Sequence, residues 1–256
     1  MFFQQITACV FRVGDVFIKI PLLDSSGKSH QEAKGLVSLR ELRWPIVRFW
    51  NIGSILISPY QGQPLGTILL TQPEVGQQIL SEILEWYQNF VVNSWQEYPL
   101  EQLERNPWKL AQSVISRLTD QEEKYPLIRE VKRHLKEPET VLGIYDHGDF
   151  HVGNILIQKQ SWKVIDPQYG LHIAFNGYLS LLYAWLFLYG SPEDGITPWI
   201  LNQILQSVPK ELIPDLKLMM IPTIMRVLNP TLIQDKFQLQ HKRTWLIYQA
   251  QTIYEF

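Results

Sequence analysis

The chain has 256 residues, of which 46% are hydrophobic and 19% charged, and its formal net charge is −2. That length suits one large domain or two small lobes with a real core, and the composition excludes a disordered chain. The 23 basic and 25 acidic residues are mixed along the sequence without a basic run, which argues against a nucleic-acid partner.

Cys9 is the lone cysteine, so an internal disulfide is excluded and a reducing compartment is expected; its simplest role is that of a small buried hydrophobe. The opening stretch MFFQQITACVFRVGD lacks the basic segment and long apolar run of a secretory signal. The most apolar run, GYLSLLYAWLFLYG at 177–190, falls short of the ~20 residues that span a bilayer and reads as a buried core helix. A cytoplasmic protein without a membrane partner is the expectation, and nothing in the sequence sets an oligomeric state.

In chain order, ITACVFRV and VFIKI are β-branched and aromatic runs separated by Gly14-Asp15, a hairpin signal. SHQEAKGLVSLREL (29–42) follows, with Ala33, Leu36, Val37 and Leu39 near helical spacing, Ser29 as a cap and Glu32 at the capping-box position. IVRFWNIGSILISPY reads as two short strands, 46–50 and 54–59. The breaker cluster QGQPLG (61–66) marks a lobe boundary, dividing the chain into 1–62 and 63–256.

From residue 74 the pattern turns helical, with Ile79, Ile83, Trp86 and Phe90 on one face. Further helices are predicted near 107–118 and 121–136, then strands at 154–158 and 161–166. Helices over 177–189, 196–206, 211–227 and 230–252 complete the chain. The fold class is therefore α+β: a small β-rich lobe, then a larger, mainly helical lobe containing one β-hairpin.

The stretch YDHGDFHVGN (145–154) concentrates histidines, aspartates and an asparagine in an otherwise mostly apolar, mildly charged chain. Downstream, ILIQ and WKVID form a hairpin pattern around Lys159-Gln160-Ser161. A three-residue loop would set Gln158 opposite Trp162 and Asn154 opposite Asp166, with Cβ atoms ~5 Å apart. The loop carrying Asp149 lies at the same end. Two carboxylates and an amide oxygen meeting there suit Mg²⁺, a hard cation that shares its shell with waters and phosphates.

His147, Asp149 and Asn154 also stand at the offsets of the kinase pattern H-x-D-x-x-x-x-N, with Asp166 following on the return strand. HGDFHVGN and VIDP together resemble the aminoglycoside phosphotransferase-like small-molecule kinases, most closely the streptomycin-type branch. That resemblance implies a bilobal protein-kinase-like fold and an ATP- and Mg²⁺-dependent transfer to a small-molecule hydroxyl. It implies Asp149 as catalytic base, Asn154 and Asp166 as metal ligands, and Lys19 in VFIKI as the nucleotide-phosphate lysine with Glu32 as its ion-pair partner. Glu41 is the rival to Glu32. ISPYQGQPL (57–65) resembles the adenine-binding hinge, which makes Ser58 and Tyr60 cofactor-side residues. His147 would brace the loop backbone, and His151 would do likewise or line the substrate mouth.

Two departures stand out. Only MFFQQ precedes the first predicted strand, where the family carries another strand and a phosphate-covering loop. Asn176 stands where an aspartate would open the next helix, although asparagine can also cap one. The short start keeps a second reading open, a kinase-like nucleotide-binding module without catalysis. A third is a zinc metallohydrolase built on H-x-D-x-H at 147–151, although His30, His134, His172 and His241 show no ligand spacing. Glu193, Asp194 and the terminal Phe256 are read as solvated or frayed rather than as acceptor contacts.

Overall fold

A computed structural model describes residues 8–14, 16–21, 26–52, 55–59, 62–117, 126–159, 161–191, 195–227, 245–246, 248–250 and 253. Tyr60, Glu193, Asp194, His241 and Phe256 lie outside them, as does most of the helix expected over 230–252.

The small lobe opens with β1 (Ala8–Val13) and β2 (Val16–Pro21), paired antiparallel with Val13 opposite Val16. Gly14 sits in the turn at φ +58, the left-handed conformation that a tight hairpin requires. α1 (Ser26–Glu41) comes next and buries Ala33, Leu36 and Leu39 but leaves Val37 exposed, and it begins three residues before the expected cap Ser29. β3 (Trp50–Ile52) and β4 (Ile55–Pro59) complete an antiparallel sheet of order β1-β2-β4-β3.

Between α1 and β3, Trp44 joins the lobes. Its ring lies 4.9 Å from Trp86, 5.2 Å from Phe90 and 5.2 Å from Phe150. Such edge-on pairs add about 0.5–1.5 kcal/mol each beyond the area they bury.

β5 (Gln63–Pro64) and α2 (Leu65–Thr71) follow, then α3 (Pro73–Ser94). Ile83 belongs to the buried stripe of α3 with Leu80, Leu84, Tyr87 and Val91, while Ile79, Trp86 and Phe90 flank it half-buried. β6 (Gln96–Pro99) leads to α4 (Pro107–Ser116), whose N-terminus Asn106 caps by accepting from the Lys109 N–H at 3.1 Å. α5 (Pro126–His134) and β7 (Thr140–Asp146) follow.

β8 (Ile155–Gln158) and β9 (Ser161–Val164) form the expected hairpin, and β5 adds to its outer edge. β10 (Gly170–Ile173) pairs with β7, which also pairs with β6. The larger lobe therefore holds a second three-stranded sheet beyond the single hairpin expected. Gly143 inside β7 and the short β6 closed by Pro99 leave little alternation to read.

α6 (Asn176–Ala184) passes into a π-helical turn at Trp185–Tyr189, then α7 (Ile196–Ser207) and α8 (Ile213–Val227) close the helical core. Among the described residues, no helix is long and apolar enough to cross a membrane.

Candidate active site

β7 delivers the chain to the loop 147–154, and each step of that loop is fixed by a local contact. Gly148 stands at φ +72, and a Cβ there would lie 2.1 Å from the Gln168 backbone oxygen. The loop therefore lies flat against the segment after β9, and the Gln168 N–H donates to the His147 carbonyl at 2.8 Å.

His147 is fully buried. Its Nδ1 accepts from the Asp149 N–H at 3.3 Å, so the proton belongs on Nε2, which lies 2.9 Å from the Ile165 carbonyl. Burial pushes this imidazole down to about 4, against the opposing pull of Asp149 and the Ile165 bond. His147 is thus a neutral brace between loop and hairpin.

Asp149 reaches the cleft with its carboxylate held from three sides. Asn154 Nδ2 and Gln168 Nε2 each lie 3.3 Å from Oδ2, and His151 Nε2 lies 3.6 Å from the same oxygen. Burial raises this carboxyl's pKa, but His151, His147 and the Arg105 charge outweigh it and hold the group below the usual aspartate range. Every hydrogen bond that its carboxylate accepts among the described residues falls on Oδ2.

The hairpin register departs from expectation by one residue. Gln158 pairs with Ser161 across a two-residue turn, with Lys159 at φ +56. Ile155 pairs with Val164, and the Ile165 N–H donates to the Asn154 carbonyl at 3.0 Å. Asn154 therefore faces Ile165, not Asp166. A one-residue slip turns each side chain to the other face. Asp166 reaches the cleft through its own left-handed backbone at φ +58 instead.

There Asp166 Oδ1 lies 2.6 Å from Lys19 Nζ, and Lys19 lies 2.7 Å from Glu32 Oε2. Glu32, not Glu41, is the partner of Lys19. Burial alone would lower the lysine's pKa, but the two carboxylates outweigh it and raise it. Lys19, Glu32, Asp149 and Asp166 all line one cavity of about 720 Å³, as do Arg105 and Gln168.

Asn154 is nearly buried, with Nδ2 committed to the Asp149 carbonyl at 3.0 Å and to its carboxylate. That leaves its amide oxygen and the Asp166 carboxylate as hard donors of the kind Mg²⁺ takes, although Asp166 lines the cavity and Asn154 does not. Among the described residues, no three His, Cys, Asp or Glu side chains gather as a zinc site would require. At the expected hinge, Ser58 pairs with Phe17 in the sheet and its hydroxyl donates to the Pro59 carbonyl at 3.1 Å.

A buried layer beneath the loop was not anticipated. Asp146 accepts from the Gly148 N–H at 2.9 Å and from the Tyr87 hydroxyl at 3.0 Å, and the Tyr87 oxygen accepts from the Gly177 N–H at 3.0 Å. His172 Nε2 stands 3.1 Å from the Gln168 carbonyl and 3.8 Å from Asp146. Asn176 does not cap α6; Phe175 is the N-cap, and the Asn176 amide donates to the Gly148 carbonyl at 3.4 Å. Asp146 lies within the polar stretch 145–154 and Gln168 just past VIDP, but Tyr87 and Arg105 stand far from both with no spacing to mark them.

No family model matches the sequence, and no curated protein matches it. Solved structures do. The amicoumacin kinase hAmiN, in complex with AMP-PNP, Ca²⁺ and Ami, aligns at a TM-score of 0.54 with 12% identity, over 97% of this chain and 90% of its own. A glucosamine kinase in complex with glucosamine, ADP and inorganic phosphate aligns at 0.54 and 12%, over 97% and 79%. A choline/ethanolamine kinase family protein from Mesorhizobium loti aligns at 0.53 and 11%, over 98% and 86%. The fold is therefore the bilobal protein-kinase-like one that these solved small-molecule kinases share.

Proposed function

We propose that this chain of protein-kinase-like fold is an ATP- and Mg²⁺-dependent phosphotransferase acting on a hydroxyl of a small molecule. The observation that carries the reading is the Lys19–Glu32 ion pair opening onto the cavity that also holds Asp149 and Asp166. A sugar or amino-alcohol acceptor is the class in view, since the structural neighbours are named for amicoumacin, glucosamine and choline or ethanolamine.

In this reading Asp149 orients the acceptor hydroxyl through Oδ1 and takes its proton. Its depressed pKa keeps it ionised, ready to accept, and the hydroxyl needs a base only as its oxygen becomes bonded to phosphorus. Lys19 neutralises phosphate oxygens while Glu32 holds it in place. Asp166 and the Asn154 amide oxygen would hold Mg²⁺, which when bound spreads the negative charge of the phosphates. The base of the nucleotide is assigned to the end of β4 at Ser58, with Tyr60 beyond it and the lobe boundary after residue 62. Catalysis here is positioning and charge neutralisation, with little covalent work for the protein. A lone cysteine suits a cytoplasmic setting.

The test is phosphate transfer from ATP across a panel of amino sugars and amino alcohols, with Asp149→Ala as control. Turnover of at least one acceptor, lost in the variant, is expected. Nucleotide binding without transfer would move the assignment to a binding module. Absence of both transfer and a nucleotide-induced thermal shift would overturn it.

A further inference from the structure

The Asp149 carboxylate is held from outside the kinase motif. Gln168 lies two residues past Asp166, and its backbone is fixed at both polar groups: the N–H donates to His147 at 2.8 Å and the carbonyl stands 3.1 Å from His172 Nε2. From that anchored backbone its side chain spans the gap between two charges. Nε2 lies 3.3 Å from Asp149 Oδ2, and Oε1 accepts from Arg105 Nη2. Arginine can only donate and a carboxylate can only accept, so a single orientation of the Gln168 amide satisfies both ends. The Arg105 side chain is exposed, and the backbone beside it is tied down by the Glu104 N–H, which donates to the Leu171 carbonyl at 2.9 Å.

We propose that Gln168 is the positioning residue of the catalytic base, with Arg105 setting its polarity. Arg105 takes the amide oxygen, which turns the NH₂ onto Asp149 Oδ2. With Asn154 on the same oxygen, the carboxylate cannot rotate, and Oδ1 stays toward the acceptor. The proposal rests on the kinase reading of the site.

The diagnostic comparison is Gln168→Ala against Gln168→Glu. The Glu variant keeps size and shape but places an oxygen where Asp149 needs a donor. It is expected to lower kcat more than Ala does, with Ala costing about 10-fold to 100-fold, a range set by what misplacing a catalytic group costs. KM for ATP and for the acceptor should stay within about twofold in both. Arg105→Ala should lower kcat less than either, and Arg105→Lys should recover part of that loss. A Glu variant as active as wild type or more active than Ala would overturn the proposal, and so would a loss confined to KM.

A second readout needs no turnover. In the ligand-free protein, the Gln168 side-chain amide should give two distinct, slowly exchanging ¹H–¹⁵N signals that move on Asp149→Asn and on Arg105→Ala. Signals averaged to solvent values and unmoved by either change would overturn the proposal whatever the assay gives. If wild type transfers phosphate to nothing, the kinase reading falls while these signals still decide whether Gln168 holds Asp149.

Discussion

Lys19 Nζ and Asp166 Oδ1 stand 2.6 Å apart, an ion pair joining β2 of the small lobe to the segment after β9 in the large one. Glu32 shares the same ammonium at 2.7 Å but lies far deeper, its side chain 9% exposed against 54% for Asp166. One cation thus serves a buried acid and a solvated one, and the two contacts differ in what they contribute. The exposed arm contributes at most about 1 kcal/mol to folding. The buried arm matters more, since removing its cation leaves a carboxylate uncompensated.

Substitution separates the two arms. Asp166→Asn is expected to change the urea midpoint little while abolishing Mg²⁺-dependent phosphate transfer. Lys19→Met should lower stability by about 1–3 kcal/mol, discounted from a fully buried pair because the lysine is partly solvated. It should also remove the nucleotide-induced thermal shift. Adding Glu32→Gln should restore most of the stability and none of the nucleotide shift. Recovery of both in the double variant would show that Lys19 acts on the fold alone.

Gly148 offers a test of loop placement with a control built into the chain. An alanine there meets the Gln168 carbonyl at 2.1 Å in addition to adopting φ +72. Gly195 stands at φ +62 with nothing within 4 Å of a Cβ. Gly195→Ala should therefore cost only the left-handed penalty, about 1 kcal/mol. Gly148→Ala should cost clearly more, about 3 kcal/mol or above, and should abolish transfer by moving Asp149. Equal losses in thermal unfolding would mean that the loop yields to the added methyl.

The motif set Asp149, Asn154 and Asp166 within a short span and the family resemblance pointed to Lys19 and Glu32; of these, Lys19, Glu32, Asp149 and Asp166 line one cavity and Asn154 does not. The sequence reading misjudged how Asp166 arrives. Turn length depends on whether Lys159 accepts a left-handed conformation, and a lysine carries no signal for that. The sheet formed by β6, β7 and β10 was hidden for a different reason: β6 and β10 are four residues each, and β10 is buried along its whole length, so no alternation marks it. Tyr87 was legible only as an apolar position on α3. Its hydroxyl acquires a role only once folding brings Asp146 and Gly177 to it.

His147 predicts an acid limb of stability. Its folded pKa is depressed to about 4 by burial, while the unfolded chain titrates near the ordinary value of 6.5. Between those values the unfolded state binds the proton and the folded state refuses it, so unfolding free energy falls as pH drops from 6.5 toward 4. At 1.36 kcal/mol per pKa unit the loss is at most about 3–4 kcal/mol. His147→Gln can still donate toward the Ile165 carbonyl but does not titrate. Urea midpoints measured across that window should fall for wild type and stay flatter for the variant. Parallel curves would remove His147 as the source.

Tyr87 supplies the sharpest test of the layer beneath the loop. Its hydroxyl donates to Asp146 and accepts from Gly177, so a single oxygen satisfies groups on β7 and α6 from its place on α3. Tyr87→Phe removes that oxygen without opening a cavity large enough for water. A buried carboxylate loses a donor and a buried N–H loses its acceptor, and each unsatisfied group costs about 1–3 kcal/mol. Because the other oxygen of Asp146 accepts from the Gly148 N–H, the strain should pass directly to the residue before Asp149. The expected result is a stability loss of about 2–4 kcal/mol in urea, together with a fall in kcat at unchanged KM for ATP. Tyr87→Phe with full kcat and reduced stability would confine this layer to holding the fold. Reduced kcat that Asp146→Asn does not deepen would place both residues on one path to Gly148, because members of a single network do not add.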